Sequence, residues 1–149
     1  MISKQKGFSL LEAVISLAVL SVGGLGLVRM QSYLERKADY ALNSLEAIAL
    51  AESKLDHYRT RSTISGAIGT VLFDGASMAA GMYPENGLSV SGSAYSFNRK
   101  VFITDAILLP GATSAAAKTI KVKIDWTDRW GTPHAIEFKT MVSRFSEFN

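Results

Sequence analysis

One stretch of this 149-residue chain limits its fold more than any other: the twenty-one residues from Phe8 to Val28 are almost entirely apolar and carry a single charge, Glu12. At about 1.5 Å rise per residue, a helix of that length reaches roughly 32 Å, enough for a bilayer core of about 30 Å. Lys4 and Lys6 lie just before it, and a positive flank marks the side that stays in the cytoplasm. The rest of the chain is therefore expected outside. A secretory signal has a shorter apolar region, about 7–15 residues, closed by small residues at a cleavage site. Neither property fits here.

Glu12 is the informative exception, because a carboxylate inside an apolar span costs about 2.5–3.5 kcal/mol at a helix centre, less near an end. Such a charge implies a partner. Lys6-Gly7-Phe8-Ser9-Leu10-Leu11-Glu12 followed by a long apolar helix resembles the type III signal of type IV prepilins and pseudopilins. The resemblance implies a leader, residues 1–7, removed by prepilin peptidase between Gly7 and Phe8, with methylation of the new amino terminus at Phe8. It also implies that Glu12, fifth in the mature chain, docks onto the N-terminal amine of a neighbouring subunit. Physically, two charges that are costly alone in a dry helix bundle become tolerable together, and a carboxylate in the first turn complements the helix dipole.

Residues 8–30 read as a transmembrane and filament-core helix, and 31–60 as its amphipathic continuation. Leu34, Ala38, Ala41, Leu45, Ile48 and Leu55 recur at three- and four-residue steps, with Arg36, Lys37, Asp39, Glu46 and Lys54 mainly off that stripe. Gly23, Gly24 and Gly26 interrupt the helix, each less favourable there than alanine by about 1 kcal/mol. Two readings stand: small residues for close helix packing, or a stretch that unwinds in an assembled filament, as the resemblance implies. The segment Ser21 to Gln31 resembles the glycine- and leucine-rich helix of PilV-type minor pilins, with Gly24 where leucine is usual.

Residues 61–149 form the expected globular head. Ser62 to Asn98 is rich in glycine, serine and alanine, contains the turn signal Pro84-Glu85-Asn86-Gly87, and reads as an irregular connector. Strand alternation follows in Tyr95, Phe97, Val101 and Ile103, in Ile120, Val122, Ile124 and Trp126, and in Ile136, Phe138, Thr140 and Val142. The last two runs flank the turn-rich Asp128 to Pro133, so they predict a hairpin. Its apolar face is expected against Leu45, Ile48 and Leu55. The fold class is α+β and pilin-like: a long N-terminal helix, its first half membrane-spanning, packed on a small antiparallel sheet.

Charge and composition exclude several functions. Sixteen Lys and Arg stand against thirteen Asp and Glu, and without Lys4 and Lys6 the balance is nearly even, so nothing electrostatic points to nucleic acid. The chain has no cysteine, hence no disulfide, thiolate metal site or cysteine nucleophile. His57 and His134 sit in no ligand-spaced pattern, and no GxSxG elbow or phosphate loop occurs, so no catalytic residue, metal or cofactor is assigned. Arg99-Lys100 and Lys118, Lys121 and Lys123, near Tyr95 and Phe97, are the densest basic patches and read as a solvated face that blocks edge pairing.

The functional expectation is a minor pilin that helps initiate or assemble a type IV pilus. It would be held in the inner membrane before assembly, and partnered by prepilin peptidase, sibling minor pilins and the major pilin. A minor pseudopilin of type II secretion is the nearest alternative; a membrane-anchored extracytoplasmic enzyme or adhesin is a more distant one.

Overall fold

The computed structural model describes residues 9–62, 71–90, 93–108 and 115–145. It is α+β, as the alternation patterns require. Helix α1, Leu10–Arg59, is followed by two short strands, β1 (Arg61–Ser62) and β2 (Val71–Leu72), and a 3₁₀ turn at Ala76–Met78. Four longer strands complete it: β3 (Gly81–Ser89), β4 (Ser96–Leu108), β5 (Ala115–Thr127) and β6 (Pro133–Ser143). Strands β3 to β6 pair antiparallel in chain order, while β1 and β2 form a parallel pair. The chain divides into two units, one ending at Tyr40 and the other starting at Ala41.

In the first unit α1 is unbroken and its side chains are almost all exposed, including Leu10, Leu17, Val22 and Leu27. It is long and apolar enough to cross a membrane. An apolar helix surface left outside any core is stable in lipid or against other helices, not in water.

In the second unit the core lies between one face of α1 and one face of the sheet. Register sets that face: Ile103 pairs with Ile120, Val101 with Val122 and Phe97 with Trp126. On the next strand Phe138 pairs with Val122 and Ile136 with Ile124. With a side-chain period of two, every inward residue of β5 from Ile120 to Trp126 is buried. The helix contributes Ala47, Ala51, Leu55 and Tyr58, with Asn43 also buried.

Two expectations are corrected. Leu55 is in the core, but Leu45 is 62% exposed and Ile48 only half-buried, whereas Ala47 and Ala51 are fully buried. The buried face of the helix therefore runs through Asn43, Ala47, Ala51, Leu55 and Tyr58, mixing small and large residues, while Leu45 lies off it. The second correction concerns the connector, since Gly81 to Ser89 is a strand. Pro84 sits on an edge strand, the position in a sheet where proline's missing donor is accommodated. Pro-Glu-Asn-Gly makes no chain reversal: register shifts between Glu85 and Leu88, Gly87 takes φ +70°, and Asn98 Oδ1 accepts the Gly87 N–H at 3.2 Å. The turn chemistry is spent on a bulge.

Candidate functional site

Glu12 lies in the first turn of α1, where the Ser9 carbonyl accepts the Ala13 N–H at 3.2 Å. It is exposed among exposed apolar neighbours. Along the described helix the next basic side chain is Arg29, more than four turns away, and no ion pair forms at Glu12 among the described residues. An intrachain counter-charge for this carboxylate is therefore lacking within α1. Gly7 and Phe8, the expected cleavage and methylation positions, lie outside the described residues.

Helix α1 passes straight through Gly23, Gly24 and Gly26. A Cβ added at any of the three would meet nothing within 4 Å. Nothing among the described residues requires glycine there, although each glycine costs the helix about 1 kcal/mol relative to alanine. Nearby, the Ser21 hydroxyl donates to the Leu17 carbonyl at 2.8 Å, which satisfies its polar group inside the apolar segment.

The head carries a charge cluster that alternation patterns do not reveal. Glu85 of β3 accepts from Lys54 of α1 at 2.6 Å and from Arg99 of β4, and Arg99 also donates to the Leu50 carbonyl at 3.0 Å. Burial pushes the Glu85 carboxyl upward, but the bonds from Lys54 and Arg99 outweigh it and hold the group below its usual range. Beside it, burial and the Glu85 charge raise the Tyr58 phenol. Lys54 and Arg99 are thus committed to the core side, away from the solvated face expected for them.

Lys118 differs more sharply from expectation. It has the parity of Ile120 and Val122, and it is 6% exposed. Its ammonium donates to the carbonyls of Phe73 at 3.0 Å and Met78 at 2.7 Å, and sits 4.9 Å from the Phe73 ring centre. That parity was the available signal. Lys121 and Lys123 do project to the outer face, where Lys121 pairs with Glu137 at 3.5 Å and Lys100 with Asp125 at 3.6 Å.

Of the two histidines, His57 is exposed on α1 with its ring edge-on to Tyr58. His134 bonds Asp128 Oδ2 at 3.1 Å. Partial burial raises the Asp128 carboxyl, yet hydrogen bonds from the Thr132 amide, His134 and the Trp130 amide prevail and hold it below its usual range.

Residues 2–28 match the family described as the prokaryotic N-terminal methylation motif. This match supports a type IV pilin-like protein, a pilin or pseudopilin, with a structural role. Such a motif is the substrate signal for prepilin peptidase and for pilin assembly, and together with the apolar helix it is consistent with membrane anchoring before assembly. Comparison with the curated proteins and with the solved structures gave no match.

Proposed function

We propose that this chain is a minor pilin, processed by prepilin peptidase between Gly7 and Phe8, methylated at Phe8, and assembled with sibling minor pilins and the major pilin into a type IV pilus. The observation that carries the reading is Glu12: a lone exposed carboxylate in the first turn of an apolar helix, five residues after the expected cut. Burial of that helix among others would strand the charge, at a cost of a few kcal/mol, unless a cation arrives with the neighbouring subunit. The new N-terminal amine of another processed subunit is such a cation. Before assembly, Lys4 and Lys6 hold the N-terminus in the cytoplasm and the head outside. The glycine- and leucine-rich segment from Ser21 to Gln31 supports the PilV-like assignment.

The test compares three chains in the native host. The wild type should yield a mature protein beginning with N-methyl-phenylalanine at position 8, read by N-terminal sequencing and mass. Gly7→Ala should retain the leader, while Glu12→Ala should be cut normally but missing from sheared filaments. An uncut wild-type chain, or Glu12→Ala at wild-type level in filaments, overturns the reading. Loss of secreted proteins with surface pili intact, on deletion of the gene, would assign the chain to a type II secretion machine instead.

A further inference from the structure

The β5–β6 turn is held more firmly than a connection needs. Asp128 Oδ1 accepts the amide protons of Trp130 at 2.9 Å and Thr132 at 2.8 Å, and its Oδ2 meets His134. The Asp128 amide donates to the Thr132 carbonyl and the Gly131 amide to the Asp128 carbonyl, both at 3.0 Å, with Gly131 at φ +80°. This fixed turn carries exposed Arg129, whose guanidinium lies 4.3 Å from the centre of the Trp130 ring. Among the described residues Arg129 has no carboxylate in ion-pair range.

Beside the turn, at the end of the sheet where β4 begins and β5 ends, an open groove of about 650 Å³ is lined by Tyr95, Ser96, Asn98, Trp126, Thr127 and Arg129, together with Asp128. Its volume falls within the range of about 300–1,000 Å³ usual for small-ligand sites. Trp126 packs against the Phe97 and His134 rings, at 5.9 and 5.5 Å between centres. The Asn98 amide is oriented, because its Oδ1 holds the Gly87 N–H.

We propose that this groove binds a sugar unit of an acidic polysaccharide. Trp126 is 3% exposed and forms the buried floor beneath the groove, so the aromatic surface open to a ligand is that of half-buried Tyr95, and the negative face of such a ring attracts the positively polarised C–H face of a pyranose. Hydroxyls at Ser96 and Thr127 and the fixed amide of Asn98 match the hydroxyl edge of the same ring. The oxygens of Asp128 are engaged by the turn, so Arg129 is the charged group presented at the rim, and its planar fork suits a carboxylate. A site fixed before binding loses little freedom on binding, which permits a shallow groove to hold a weak ligand. The site does not depend on which machine the chain serves, because it uses only the head.

The test is titration of the full-length chain, in a micelle of non-glycosidic detergent, with oligoguluronate and separately with neutral maltohexaose, followed by amide chemical shifts. Oligoguluronate should shift resonances around Tyr95, Asn98 and Thr127 saturably. Arg129→Ala should weaken it at least about tenfold, a change of about 1.4 kcal/mol, and Thr127→Val should weaken it as well. Lys139→Ala, on the outer face of the sheet, is the control for general charge attraction and should leave binding unchanged. Amide shifts elsewhere in the head show that each variant is folded. No saturable shift, equal binding of maltohexaose, or a loss in Lys139→Ala matching that in Arg129→Ala overturns the proposal.

Discussion

Arg99 Nη1 donates to the backbone carbonyl of Leu50 at 3.0 Å, tying the first part of β4 to α1. The bond fixes where the sheet meets α1, and Glu85 holds the same guanidinium from the neighbouring strand. Three charges therefore define a contact that apolar packing alone leaves free to slide.

Removing the charge of Glu85 tests that role. Glu85→Gln leaves Lys54 and Arg99 without their shared counter-ion, and partial solvent exposure keeps the expected loss to about 1–2 kcal/mol. The pH dependence has a definite sign. The folded carboxyl titrates below its ordinary value of 4.5, so its stabilisation is complete above that value and is lost as pH falls through the lower folded value. Thermal melts between about pH 3 and 7 should show a steeper acid loss in the wild type than in Glu85→Gln. Equal slopes would remove Glu85 from the account.

The helix face is tested by a pair of substitutions. Ala47 has no exposed surface, so Ala47→Leu forces extra volume between α1 and the sheet and should destabilise the head by about 1–3 kcal/mol. Leu45→Ala, on the outward side, should change head stability by less than about 0.5 kcal/mol. A reversed order in denaturant unfolding would restore Leu45 to the core.

Lys118→Met keeps most of the side-chain volume and removes the ammonium. The carbonyls of Phe73 and Met78 then lose their donor, with an expected cost of about 2 kcal/mol. Loss should be local first, so amide exchange around the Ala76–Met78 turn should accelerate more than in β5. Uniform acceleration across the head would assign Lys118 a general rather than local role.

These residues also show how far sequence reading reaches. Strands β4 to β6 were legible because Phe97, Val101, Ile120, Val122, Ile124 and Val142 alternate cleanly with polar residues, and the hairpin because Asp128 and Gly131 supply its turn chemistry. The membrane-grade helix was legible from length and polarity alone. Strand β3 was not, because proline and glycine within it serve an edge and a bulge, where the same residues more often mark a turn. The helix face is only partly legible, because apolar residues recur on more than one side of α1 and periodicity alone does not distinguish the stripe through Leu45 and Ile48 from the one through Ala47 and Ala51 that meets the sheet. Glu85, Arg99 and Lys118 have inward parity, which is the one signal the sequence carries for them; their partners come from distant segments and are not legible from it. Glu12 is legible as a lone charge on an apolar span, and no described residue forms an ion pair with it.

The glycine cluster separates the remaining readings of α1. Replacing Gly23, Gly24 and Gly26 together by alanine should favour the helix by about 3 kcal/mol, since each site gains about 1 kcal/mol and each new Cβ meets open space. The isolated chain should insert into the membrane and lose its leader as before. If the segment unwinds when a subunit joins a filament, that same stabilisation opposes the step, and the variant should accumulate processed in the membrane while its share in sheared filaments falls several-fold. If the glycines instead let helices pack closely, one alanine at the tightest contact should account for most of the loss, because the clash is local while helix propensity adds across all three sites. Single and triple variants, quantified by immunoblot of membrane and filament fractions, distinguish additive from single-site behaviour. Wild-type filament levels in the triple variant would show that neither unwinding nor close packing at these residues matters to assembly.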